Sequence, residues 1–156
     1  MMEQKEEQKS IYKEILEWVW FLAIVLVVSY LIVTFVGIRT KVEGESMLPA
    51  LEDGDQLLVD KLTYRFRDPQ RYEIIVFPYK HQENTYYIKR IIGLPGETLQ
   101  IIDGCVYIDG EQLAENYGAE VMLDAGTAAE PVSLGEDEYF VLGDNRNHSS
   151  DSRVPN

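Results

Sequence analysis

The sequence predicts a mainly β protein, an antiparallel β-sheet domain behind a single N-terminal transmembrane helix. Three features carry that expectation. One uncharged apolar run near the N-terminus is long enough to cross a bilayer, the segments after it are short and rich in β-branched and aromatic residues, and Asp-Gly pairs separate two of them at hairpin spacing.

The run is Trp18 to Ile38, WVWFLAIVLVVSYLIVTFVGI, 21 residues without a charge. As a helix it extends about 31 Å, one hydrocarbon thickness. It is apolar on every face, which suits lipid better than a protein core. Trp18 and Trp20 suit the interface. The residues that follow, GIRTKVEGESM, carry charges where a signal-peptide cleavage site needs small side chains, so the run reads as a retained anchor. Lys5, Lys9 and Lys13 precede it and Arg39 and Lys41 follow it. That bias leans residues 1–17 toward the cytoplasm as a tail, with 39–156 as an extracytoplasmic domain.

Within that domain QLLVDKLTY, YEIIVFPY, NTYYIKRIIGL, ETLQIIDGCVYIDGEQL and EYFVLGD read as strands. Asp103-Gly104 supplies the positive φ angles of a tight hairpin between two apolar runs, and Asp109-Gly110 marks the next reversal. Residues 115–135, ENYGAEVMLDAGTAAEPVSLG, show no apolar period and predict a surface excursion.

The net charge is −13, and the part from Arg39 onward holds 22 acidic and 11 basic residues. Nucleic acid is excluded as a partner class on that ground. Cys105 is the only cysteine, which rules out an intramolecular disulfide and a cysteine-based metal site. Lys61, Arg65, Arg67 and Arg71 form the one basic cluster; it reads first as a solvated loop balancing nearby acids and second as a contact for anionic headgroups.

Chemistry centres on Ser46, in VEGESMLPAL. Gly44 allows tight backbone geometry before it, and Pro49 biases Leu48 toward an extended conformation. A serine hydroxyl attacks only if a base takes its proton. His148 is one candidate base, with Asp144 and Asp151 close in sequence as in a Ser-His-Asp triad. Lys89 is the other: on a strand it shares a face with Tyr87 and Ile91, and burial among them favours the neutral amine. Spacing alone does not choose between the two. GDNRNHSSDSR, residues 143–153, is dense in carboxylates, guanidiniums, amides and hydroxyls; pairing of Asp144 with Arg146 and of Asp151 with Arg153 would make it a network able to position a base.

Four blocks, GESMLPAL, DGDQLLVDK, YYIKRIIGLPGE and GDNRNHSSDSR, in this order behind an anchor, resemble the bacterial type I signal peptidases, membrane-bound serine proteases with a Ser-Lys dyad. The resemblance covers nearly the whole chain from the anchor to Arg153. It implies Ser46 as nucleophile and Lys89 as general base, with the Ser149 hydroxyl orienting the lysine amine. Asp151 and Arg153 match the paired structural residues beside it, Asp144, Asn145 and Arg146 match the scaffold, and His148 has no chemical role. Met47, Leu51, Tyr87 and Ile88 match the lining of shallow pockets for small residues. The resemblance implies no metal and no cofactor. It further implies secretory preproteins with A-x-A sites as substrates, the lipid bilayer as support, and a monomer in the cell membrane. The Ser46 N–H is the implied oxyanion donor. Where part of the family has a second, hydroxyl-bearing donor, this chain has Gly44. The family also continues beyond the DSR block with a further strand, so the end at Asn156 reads as a fragment or a missing strand. Two rival classes are self-cleaving repressor-type Ser-Lys peptidases and a membrane-anchored β domain that binds without catalysis.

Overall fold

The computed structural model describes residues 3–35, 37–80, 82, 84–118 and 120–154. The first two residues of the expected tail, Val36 of the expected anchor, His81, and the last two residues of the expected domain lie outside that set. Two compact units divide the chain: Met1–Ile38 with Leu58–Phe66, and Arg39–Leu57 with Arg67–Asn156.

In the first unit α1 runs from Glu3 to Phe35. It begins well before Trp18, because the Glu-, Lys- and Gln-rich tail consists of good helix formers. It also stops short of Ile38. Gly37 and Ile38 open strand β1 (Gly37–Lys41) instead, which forms a two-stranded sheet with β2 (Gln56–Asp60). Glycine followed by β-branched residues favours that switch. The stretch long and apolar enough to cross a membrane is Tyr12–Thr34, 23 residues, none of them buried. A short 3₁₀ turn, Thr63–Arg65, follows β2; the Asp60 carboxylate accepts from Leu62 N at 2.7 Å and from Thr63 N at 3.1 Å.

The second unit holds two antiparallel sheets. One has the order β3 (Ile74–Pro78), β4 (Tyr86–Gly93), β9 (Phe140–Leu142). The other has the order β7 (Glu111–Gln112), β6 (Cys105–Ile108), β5 (Thr98–Ile102), β8 (Val132–Ser133). Both Asp-Gly pairs sit at two-residue hairpins, with φ of 49° and 77° at Asp103 and Gly104 and of 51° and 85° at Asp109 and Gly110. Those angles match the right-handed twist of the flanking strands.

The register of the first sheet matters most for the site. Ile75 lies opposite Lys89 and Phe77 opposite Tyr87. Because side chains alternate, Ile75, Phe77, Tyr87, Lys89 and Ile91 share one face, and Arg90 points to the other. The core joins the two sheets through Ile92, Leu99, Ile101, Val106, Phe140 and Leu142, with Met122 and Ala128. Those last two correct the expectation of a plain surface excursion over 115–135. Met122 is 4 % exposed and Ala128 fully buried, while Val121 and Leu123 on either side of Met122 are exposed. One inward side chain in every few gives no period to read.

Candidate active site

Ser46 lies on the irregular segment between β1 and β2. That segment is held by its own turns: Leu48 N donates to Glu45 O at 3.2 Å and Leu51 N to Met47 O at 3.0 Å. The Leu48–Pro49 peptide is cis. Met47, 2 % exposed, anchors the segment in the interior, which leaves its neighbour Ser46 half-buried at a cleft wall. Gly44 N is taken by the Asp53 carboxylate at 2.8 Å. Among the described residues no acceptor takes the Ser46 N–H.

Lys89 arrives from β4. Its Nζ lies 2.8 Å from Ser46 Oγ and donates to the Ile88 carbonyl at 2.9 Å. The residue is 4 % exposed, and the Tyr87 ring centroid is 5.2 Å from Nζ. Burial holds the amine below the ordinary lysine value, while the Asp151 carboxylate pulls the other way. The net effect is a lowered pKa for an amine in contact with a serine hydroxyl.

The loop 143–153 supplies the frame. Asn145 N donates to Ser46 O at 3.1 Å and Asn145 Nδ2 to Glu45 O at 3.1 Å, so one residue grips the Ser46 segment twice. Gly143 packs against both Ser46 O and Ser149 Oγ; a Cβ at this position would overlap the two. Asp151 accepts from Gly143 N at 3.1 Å and pairs with Arg153 through two bonds of 2.8 Å. Arg153 in turn donates to Arg146 O at 2.6 Å.

One expected pair is replaced. Asp144 bonds Arg90 through contacts of 2.8 and 2.6 Å, and Arg146 bonds Glu115 through contacts of 2.6 and 2.8 Å. Asp144 precedes the 3₁₀ turn Arg146–His148 that Arg146 opens, and each side chain finds a partner from a distant segment. The Arg90 guanidinium also lies 3.9 Å from the Tyr117 ring centroid. Arg90, Glu115, Tyr117 and Gly143 are the supporting residues that sequence reasoning missed. Only the Lys-Arg pair at 89–90 hinted at one of them, since alternation sends its members to opposite faces.

The remaining expected residues divide. Met47, Tyr87 and Ile88 line the cleft, of about 590 Å³, that contains Ser46 and Lys89; Leu51 does not. Ser149 adjoins Gly143, but its Oγ is buried and without a hydrogen-bond partner among the described residues. His148 is exposed on the cleft wall, and among the described residues its ring bonds neither Ser46 nor Lys89. No group of three or more His, Cys, Asp or Glu able to hold a metal ion occurs among the described residues.

A serine hydroxyl in contact with a buried amine, on a mainly antiparallel β domain, is an arrangement that suits the class of serine hydrolases. Known proteins carry the assignment further. The family model described as signal peptidase, peptidase S26, matches residues 15–155. A signal peptidase I of Bacillus amyloliquefaciens is 36 % identical over 97 % of this chain and 84 % of its own length. A probable signal peptidase I-2 of Synechocystis is 43 % identical over 76 % of this chain and 56 % of its own length. Among solved structures, a signal peptidase I from Enterococcus faecalis matches 56 % of this chain and 86 % of its own, at 36 % identity and a TM-score of 0.47. The chain belongs to the signal peptidase family, peptidase S26, and is a serine endopeptidase. The matches favour neither the repressor-type peptidases nor a binding domain without catalysis.

Proposed function

We propose that this endopeptidase removes N-terminal signal peptides from secretory preproteins after A-x-A-like sites, with Ser46 as nucleophile and Lys89 as general base. The observation that carries the reading is the 2.8 Å contact between Ser46 Oγ and a Lys89 amine that is 4 % exposed. The neutral amine takes the hydroxyl proton as Ser46 attacks the scissile carbonyl. The resulting ammonium gives that proton to the leaving amine, and the acyl-enzyme is hydrolysed by a water that Lys89 activates in the same way. The Ser46 N–H is one donor to the oxyanion. Gly44 N–H is not the second, because Asp53 already holds it.

Ser149 packs on Gly143, as the Ser46 carbonyl does, and its buried hydroxyl is assigned the orienting of the amine. Asp144, Asn145, Arg146, Asp151 and Arg153 keep the loop in register behind it. Met47, Tyr87 and Ile88 form the wall that admits small substrate residues and rejects bulky ones. Helix α1 anchors the protein as a monomer in the cell membrane, with the tail cytoplasmic and the β domain outside. Membrane attachment holds the enzyme where signal peptides emerge.

The test is cleavage of a preprotein with an A-x-A site by the full chain in detergent, followed by mass spectrometry. Ser46→Ala and Lys89→Met are expected to abolish the cut after the small residue, and His148→Ala to keep it. A cut lost in His148→Ala and kept in Lys89→Met would overturn the assignment of the base.

A further inference from the structure

The face of the first sheet that carries Lys89 continues past it as an aromatic row. Phe77 lies opposite Tyr87, with ring centroids 6.4 Å apart and planes at 71°. Tyr79, one step beyond the paired Pro78, keeps the strand direction through its N–H to Thr85 O at 2.8 Å. Its ring stacks on Tyr87 with centroids 4.3 Å apart and planes within 10°. The Tyr87 ring centroid lies 5.2 Å from Lys89 Nζ.

Tyr87 also lines two cavities. One is the cleft with Ser46 and Lys89; the other, of about 460 Å³, is lined by Phe77, Tyr79, Val141 and Val154 among others. A ring between two spaces has room to swing unless something stops it, and stacked aromatics hold one another by contact beyond area burial. Tyr79 supplies the parallel contact and Phe77 the edge.

We propose that Tyr79 is a positioning residue for the active site: by stacking on Tyr87 it fixes that ring as the wall that keeps water from the Lys89 amine. The proposal rests on the reading of Lys89 as base. It assigns a role to a residue outside the cleft, since Tyr79 lines the second cavity and not the cleft.

The consequence is electrostatic. Desolvation is the main cause of the lowered Lys89 pKa, so a mobile Tyr87 ring that admits water raises it. The other groups around the amine stay in place. Asp151 faces it from the loop; His148 on the same loop and Lys41, Glu43 and Glu45 line the walls of the cleft. From β3 the facing residues Ile75 and Phe77 are apolar, and Arg90 is turned to the other face with Asp144. Loss of the Tyr79 ring therefore acts on the hydration of the amine through Tyr87.

The experiment is the pH profile of kcat/KM for preprotein cleavage by the full chain in detergent, comparing the parent with Tyr79→Ala and Tyr79→Phe. Tyr79→Ala is expected to move the acid limb to higher pH, with a loss at neutral pH that closes on the alkaline plateau. Tyr79→Phe keeps the stack and is expected to restore the parent profile. A uniform loss at every pH, or an acid limb that stays put in Tyr79→Ala, would overturn the proposal, as would failure of Tyr79→Phe to restore the limb. If Tyr79→Ala does not fold, Tyr79→Leu removes the planar contact while keeping bulk and is read by the same criteria. Lys89→Met, run alongside, separates the two readings. If it retains activity the base assignment fails; if it is inactive while the Tyr79→Ala limb is unmoved, only the role of Tyr79 fails.

Discussion

Replacing Asp144 by alanine leaves the Arg90 guanidinium buried without its carboxylate. The two side chains are 1 % and 9 % exposed, so water cannot take the place of the lost partner. Truncating one member of such a pair costs about 3–5 kcal/mol. Two contacts of Arg90 survive the change: Nη1 still donates to Tyr72 O at 2.8 Å, and the guanidinium still lies 3.9 Å from the Tyr117 ring centroid. They set the expected loss near the lower bound, about 3 kcal/mol, on the order of a hundredfold in the folded-to-unfolded ratio. The double variant Arg90→Met/Asp144→Leu removes both charges and is expected to be more stable than Asp144→Ala, because no ion is left uncompensated. Pulse proteolysis of the full chain across a urea series in nonionic detergent reads both effects on the β domain. A loss under about 1 kcal/mol for Asp144→Ala, the range of an exposed pair, would refute the reasoning. So would a double variant less stable than either single one.

Two further outcomes follow from the site itself. Burial lowers the Lys89 pKa, so between its folded and ordinary values the unfolded chain binds more protons and stability rises with pH. Lys89→Met has no such proton to bind; it is expected to be inactive yet more stable than the parent at neutral pH, with the gain shrinking as pH approaches the ordinary lysine value of 10.5, measurable as urea midpoints at several pH values. Gly143→Ala places a methyl where Ser149 Oγ and Ser46 O already lie, so the nucleophile must shift. The expected cost is about 100-fold in kcat, read from single-turnover cleavage alongside a thermal melt.

Much of the architecture was legible because its signals are local. The uncharged run specified a long helix, the Asp-Gly pairs specified their hairpins, and short β-branched runs specified β2 to β7 and β9. Ser46 and Lys89 could each be singled out as candidates, one by its turn and the other by its strand neighbours. Their contact could not, since 43 residues separate them. Charge pairing was the least legible part. Asp144 and Arg146 look like partners on the page, but their true partners, Arg90 and Glu115, lie 54 and 31 residues away. The burial of Met122 and Ala128 had the same origin, because a loop that dips into a core once or twice has no period. The end of α1 at Phe35 was missed for the opposite reason. Hydropathy continues through Ile38, while backbone preference changes at Gly37.

The grip of Asn145 on Glu45 and Ser46 joins residues about a hundred positions apart, and the lysine lies between them in the chain. A site assembled from three such distant segments forms only when most of the chain has reached its native arrangement, because contacts at long separation are made late. Until then Lys89 is an ordinary solvated ammonium and Ser46 an ordinary alcohol. A half-made copy therefore lacks the assembled contacts of the site. Burial then lowers the lysine pKa, and the contact with Ser46 is made by the same event that makes the chain a folded protein.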